Sequence, residues 1–283
     1  MDGLLIVNKP KGYTSHDVVN VVRKQLNIKK VGHTGTLDPN ATGVLPILIG
    51  QATKISKYLV EHKKTYIATI ELGEKRDTGD SEGKTIETKE IPEELKKEDI
   101  NQALQAFLGK QKQIPPIYSA IKVNGKKLYE YARSGQEINI EPREIEIYKI
   151  DLLQYKEKEI KFEVECSKGT YIRTLCENIA EKLENIGYMK ELERISVNEF
   201  KIENSIELNN LSKETINNKL ITIEEIFSDK EKIELNEKKL ELFLNGVMLT
   251  NNLEDGVYRI YSNHKFIGLG IIRNKLLKRD VVI

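Results

Sequence analysis

Gly32-His33-Thr34-Gly35-Thr36-Leu37-Asp38-Pro39-Asn40-Ala41-Thr42-Gly43 constrains this chain more than any other stretch. Three glycines and a proline in so short a run do not sustain a helix or a strand, so residues 31–43 are expected to be a structured loop. Glycine permits positive φ and lets a ligand come close to the backbone. Pro39 restricts Asp38 to extended geometry, which holds its carboxylate in one direction. On its own, Asp-Pro in a glycine-rich loop reads most simply as a turn, and His33 as a satisfied core histidine.

Ordinary short elements surround this loop. Gly3–Val7 reads as a strand, turned by Asn8–Gly12, and Thr14 or Ser15 can cap a helix carrying Val18, Val19, Val22 and Leu26. Thr65–Leu72 reads as a strand, Asp77–Gly83 as a polar loop, and Lys96–Leu108 as a helix stopped by Gly109. Residues 110–142, punctuated by Pro115-Pro116, Asn124-Gly125 and Gly135, read as a basic surface insertion. Ile145–Tyr155 and Glu159–Ser167 alternate as strands, and Thr174–Leu183 reads as a helix. Residues 204–228 form a polar, helix-leaning connector. Beyond them, one helix (Leu235–Leu244) and glycine-punctuated apolar strands make a small β-rich module.

The 283 residues are 39% hydrophobic and 31% charged, which fits one large globular domain or two unequal ones. Leu4–Val7 is too short for a signal-peptide core or a membrane span. Cys166 and Cys176 lie in no metal-ligand spacing, so neither zinc nor a disulfide framework is indicated, and a reducing cytoplasm fits best. The net charge of +1 hides a partition. Residues 1–66 hold ten Lys and Arg against four Asp and Glu, and residues 256–283 hold six against one. Residues 181–245 hold fifteen acids against ten basic groups. Such a chain can turn a cationic face to a polyanion and stay soluble, although a Lys/Glu-rich surface produces similar runs by chance.

Lys168-Gly169-Thr170-Tyr171-Ile172-Arg173 is the second unusual segment. If extended, it sends Tyr171 and Arg173 to one face and Ile172 into the core. An aromatic ring beside a guanidinium can stack a base and pair with a carboxylate.

Six motifs then run in one order. They are Lys9-Pro10-x-Gly-x-Thr-Ser, the Gly32–Gly43 loop with Leu37-Asp38-Pro39, Lys64-Thr-Tyr66, Asp77-Thr-Gly-Asp80-Ser-x-Gly, Pro116-Ile-Tyr118-Ser119-Ala-Ile-Lys122 and Lys168-Gly-Thr-Tyr171-Ile-Arg173. From residue 3 to about 200 the chain resembles the bacterial tRNA pseudouridine(55) synthases, the TruB family. Residues 230–283 resemble a short version of that family's PUA-type RNA-binding module.

The resemblance implies an α+β fold: a mixed, mainly antiparallel sheet in a catalytic domain of pseudouridine-synthase type (1–228), then a small PUA-like module (229–283). It implies isomerisation of uridine 55 in the T-arm of tRNA by base flipping and aspartate nucleophilic catalysis, with no cofactor and no metal. Asp38 matches the nucleophile and Arg173 the arginine that keeps it ionised. Tyr66 matches the tyrosine set against the target base, and Tyr171 and Leu192 match residues lining the uracil pocket. His33 matches the histidine that fills the space left by the extruded base. Lys9 matches a motif lysine near the cleft, either structural or facing a phosphate. The insertion, with Lys110, Lys112, Lys122, Lys126, Lys127 and Arg133, would close over the RNA and mark a stand-alone enzyme without guide RNA. A monomer is the default. A tRNA-folding chaperone in which catalysis is secondary is the alternative.

Overall fold

The computed structural model describes residues 1–60, 63–92 and 94–283; Glu61, one of the four N-terminal acids counted above, lies outside them. The first strands are β1 (Gly3–Lys9), β2 (Val31–His33), β3 (Thr42–Ile49) and β4 (Lys64–Leu72). The helices α1 (Ser15–Leu26) and α2 (Ser56–Leu59) lie among them. A hairpin, β5 (Glu74–Arg76) and β6 (Thr85–Thr88), carries the 77–84 loop, and α3 (Lys97–Gln105) leads into β7 (Gly109–Gln113). The insertion holds β8 (Lys122–Val123), β9 (Lys126–Lys127) and α4 (Leu128–Arg133). Then come β10 (Arg143–Lys156), β11 (Glu159–Cys166), α5 (Ile172–Lys182) and β12 (Gly187–Val197). Short pieces follow: β13 (Phe200–Lys201), β14 (Ile206–Glu207), α6 (Lys213–Lys219), β15 (Ile221–Thr222) and α7 (Ile223–Ile226).

Among the described residues the large sheet runs β14-β1-β3-β12-β4-β11-β10-β7, with β2, β13 and β15 attached beside β3, β12 and β1. Pairing is antiparallel except for β1 with β14 and β3 with β12. The mixed, mainly antiparallel sheet is therefore as expected. A second sheet collects β16 (Lys232–Glu234), β17 (Leu249–Thr250), β18 (Gly256–Ser262), β19 (Lys265–Arg273) and β20 (Leu276–Val282) in the order β16-β18-β19-β20-β17, beside α8 (Glu237–Leu244). This β-rich unit has its own core around Phe243, Ile260, Ile272 and Leu277. It is also fused to the large sheet, because Leu269 and Val281 pack with Leu4, Ile6, Val44 and Leu48. The Tyr58 hydroxyl donates to Asp280 across that junction at 2.6 Å.

Four expectations need correction. Residues 31–33 are not loop: β2 pairs with β3, Val31 facing Ile49 and His33 facing Ile47, so the irregular stretch is shorter. The basic insertion starts later than residue 110, because Gly109–Gln113 is an edge strand on β10. Its Lys-Gln-Lys composition reflects one exposed row on a sheet edge, where charge discourages pairing with another chain. Lys168–Arg173 is not extended throughout: α5 starts at Ile172, so Arg173 sits in its first turn and is buried with Ile172 rather than opposite it. Finally, β3 and β12 fill the centre of the sheet, where no strand was read.

Candidate active site

Asp38 lies on the loop joining β2 to β3, and that loop is held from both sides. On one side Ser15 accepts the Leu37 N–H at 2.9 Å and donates to the Leu37 carbonyl at 3.2 Å. Thr14, not Ser15, caps α1 by accepting the Asp17 N–H, which leaves the buried Ser15 hydroxyl for this contact. The Gly12 N–H donates to the Pro39 carbonyl at 2.9 Å. Lys9 donates to the carbonyls of Pro10, Tyr13 and Pro39 at 3.0, 2.6 and 3.0 Å. A fully buried ammonium with three carbonyl acceptors has no proton left for a phosphate, so of the two readings of Lys9 these contacts favour the structural one. Burial also pushes the Lys9 ammonium down to about 8.

On the other side stands Arg194 of β12, which is buried. Its Nε donates to the Val44 carbonyl at 2.8 Å and its Nη2 to the Gly35 carbonyl at 2.9 Å. One guanidinium thus bridges the two stems of the loop that carries Asp38. Gly43 is obligatory at this junction, because it sits at φ +105° and a Cβ there would lie 2.2 Å from the Arg194 carbonyl oxygen.

Arg173 reaches the carboxylate from α5. Its Nε lies 3.2 Å from Asp38 Oδ2 and its Nη1 3.6 Å from Asp80 Oδ2. It also donates through Nη1 to the Thr78 carbonyl at 3.3 Å and through Nη2 to the Tyr118 carbonyl at 2.9 Å. The guanidinium is almost closed off, whereas 38% of the Asp38 side chain stays open to the cleft. Asp80 is oriented in turn by the Thr78 hydroxyl at 2.7 Å and the Glu82 N–H at 3.1 Å. Its loop rests on β12 through the Met189 N–H and the Gly79 carbonyl at 3.0 Å.

The cleft is about 730 Å³ and is lined by Asp38, Tyr66, Tyr171, Arg173, Leu192 and Arg194 among others. Tyr66 and Leu192 come from the paired strands β4 and β12, where Arg194 faces Tyr66 and Leu192 faces Ala68. Burial raises the Asp38 carboxyl above the ordinary range, Arg173 works against that shift, and Asp80 adds to it. Burial also raises the Tyr66 phenol, opposed by the charge and hydrogen bond of Arg194. His33 ends β2, one residue before the cleft lining starts, with Nδ1 buried and without a hydrogen-bond partner. Burial, Arg194 and His16 all disfavour its charged form. The sequence reading assigned no role to Asp80, Arg194 or Ser15. Asp80 and Ser15 each stand within one of the six motifs, Ser15 also as a candidate cap, and Arg194 leaves no local signal.

Comparison with known proteins follows the same lines. Residues 23–172 match the model of the TruB family pseudouridylate synthase N-terminal domain. The chain is 47% identical to "tRNA pseudouridine synthase B" of Clostridium novyi (strain NT), over the whole of both chains. The chain belongs to the TruB family of pseudouridylate synthases. It is 41% identical to "tRNA pseudouridine synthase B" of Francisella philomiragia subsp. philomiragia, covering 100% of this chain and 97% of that one. Among solved structures it resembles "Crystal Structure of a Cbf5-Nop10-Gar1 Complex" at TM-score 0.71 and 25% identity, over 99% of this chain and 83% of that one. A second likeness is to "Structure of H/ACA RNP bound to a substrate RNA containing 2'-deoxyuridine", at TM-score 0.70 and 23% identity over 99% and 85%. Together with the family match these likenesses support a pseudouridine-synthase fold, and the second sheet fits the expected PUA-like module. Among the described residues no helix is long and apolar enough to cross a membrane.

Proposed function

We propose that this chain converts uridine 55 in the T-arm of tRNA to pseudouridine, with Asp38 as the nucleophile. The names of its full-length relatives support tRNA as the substrate. The observation that carries the reading is the Asp38 carboxylate, open to a cleft on one side and 3.2 Å from a buried Arg173 on the other.

The reaction breaks the C1′–N1 bond, turns the base, joins C1′ to C5, and balances one proton lost from C5 with one gained at N1. A nucleophile for that sequence has to be ionised, placed and partly stripped of water. Arg173 favours the carboxylate form, and the contacts on Leu37, Pro39, Gly35 and Val44 place it. Tyr66 forms one wall and stacks on the uracil. Burial keeps its phenol protonated, and the Arg194 guanidinium works against that by favouring the phenolate, the form that accepts the C5 proton. A uridine inside a folded arm has to be extruded, at a cost of roughly a few kcal/mol of stacking. The His33 ring takes the vacated space, and the basic insertion closes on the arm, reading shape and unstacked bases.

The test is release of the C5 hydrogen from uridine-labelled tRNA transcript. Asp38→Asn should bind the transcript and release nothing, and mapping of the wild-type product should place pseudouridine at position 55. Turnover by Asp38→Asn, or modification at another position, overturns the reading.

A further inference from the structure

Gln113 ends β7, where the chain leaves the large sheet for the insertion, and its side chain is buried. The Tyr171 N–H donates to Gln113 Oε1 at 2.8 Å, and Gln113 Nε2 donates to the Tyr171 carbonyl at 3.0 Å. The reverse amide orientation would set donor against donor and acceptor against acceptor, so the geometry admits one assignment. Tyr171 is thereby held on both of its main-chain polar groups by a single side chain. The same Tyr171 carbonyl accepts the Leu175 N–H at 3.1 Å, the contact that opens α5, and Arg173 lies in that opening turn. Five residues after Gln113, the Tyr118 carbonyl accepts from Arg173 Nη2 at 2.9 Å. The root of the insertion therefore grips the arginine segment twice, once at the backbone before it and once at the guanidinium.

We propose that Gln113 is a positioning residue that ties the placement of the insertion on RNA to the Arg173–Asp38 contact. The proposal rests on the reading that these two residues carry the reaction. Gln113 lines no part of the cleft and reaches the chemistry only through Tyr171 and Arg173. Removing its amide leaves the Tyr171 N–H unpaired and its carbonyl with the Leu175 N–H alone, which frees the start of α5 to shift, and a small misplacement of a reacting group costs rate rather than binding.

The experiment measures tRNA dissociation constants and single-turnover rates at saturating enzyme. The chains compared are wild type, Gln113→Met, Gln113→Glu, Arg173→Lys and the double variant Gln113→Met/Arg173→Lys. Met keeps the length and loses both hydrogen bonds, while Glu keeps the acceptor and loses the donor; having both guards against a folding defect in one. Both Gln113 variants should slow the chemical step roughly 10- to 100-fold, with tRNA affinity unchanged within about twofold. In the Arg173→Lys background the Gln113→Met loss should shrink to about threefold or less, because the group it positions is already altered. Wild-type rates in either Gln113 variant, a fall in affinity that accounts for the slower rate, or full additivity in the double variant overturns the proposal. A wild-type rate for Arg173→Lys alone overturns the underlying reading instead.

Discussion

The Ser15 hydroxyl and the main chain of Leu37 form a reciprocal pair, the N–H donating to Oγ at 2.9 Å and Oγ to the carbonyl at 3.2 Å. The residue before Asp38 is thus anchored to the first turn of α1, and the residue after it, Pro39, to Lys9 and Gly12. Asp38 is flanked on both sides by fixed backbone. Ser15→Ala should destabilise the protein by about 1–3 kcal/mol, the cost of leaving a buried N–H without a partner. Denaturant unfolding would check this, and an unchanged midpoint would contradict it. The chemical step should slow while tRNA affinity holds.

Arg194 closes the same loop from the opposite side. Arg194→Met should be among the most damaging single changes, because the buried Val44 carbonyl loses this donor at about 1–3 kcal/mol and the part-buried Gly35 carbonyl loses it as well. Thermal melting is the measurement. Arg194→Lys has one compact donor group in place of a fork and should recover only part of that loss.

Asp80 steadies Arg173 from the side away from the cleft. Asp80→Asn keeps the shape and removes the charge, so the Arg173 guanidinium should shift or tilt. We expect kcat to fall about tenfold or more with the tRNA dissociation constant unaltered, read by single-turnover kinetics and filter binding.

The pH profile follows from the direction of the Asp38 shift. Its carboxyl titrates above the ordinary value of about 4, since burial outweighs Arg173. With Asp38 as the proposed nucleophile the active form is the carboxylate, so activity should be full above that raised value and fall as the pH drops through it. Arg173→Gln removes the group that opposes the shift and should move the acid limb to higher pH. A limb unmoved by that change would separate Arg173 from the ionisation of Asp38.

The insertion exposes Lys122, Lys126 and Arg133, and the neighbouring edge strand β7 exposes Lys112. If these meet phosphates, the affinity for tRNA should fall linearly on a log–log plot against salt. Replacing Lys122 and Lys126 by Gln should flatten that line by about one unit per contact removed. An unchanged slope would place the RNA elsewhere.

Much of the fold was legible because its elements follow simple periodicities. The α1 apolar stripe of Val18, Val19, Val22 and Leu26 is buried, and β10 and β11 fall within two residues of their alternating patterns. Two central strands that went unread fail in different ways. β3 is a continuous apolar run with Pro46 inside it, and its burial on both faces removes the alternation that marks a strand. β12 alternates only in pieces, because register shifts at Met189/Glu191 and Arg194/Ser196 break its period, and its Glu, Leu and Lys favour a helix locally.

The sequence by itself determined the chemistry-bearing groups: an aspartate stiffened by proline in a glycine-rich loop, tyrosines, an arginine, and basic segments divided by acidic ones. Residue type and close spacing decide those, and the motifs carry them intact. Only the tertiary structure decided which groups meet. Asp38, Asp80, Tyr118 and Arg173 come from four separate parts of the chain, and Arg194 and Gly35 stand 159 residues apart. No local pattern encodes such contacts, because each depends on the pairing of β12 with both β3 and β4 and on α5 starting at Ile172. The same packing encloses Lys9: a buried ammonium is stable only where carbonyls surround it, and Pro10, Tyr13 and Pro39 supply them from two separate turns.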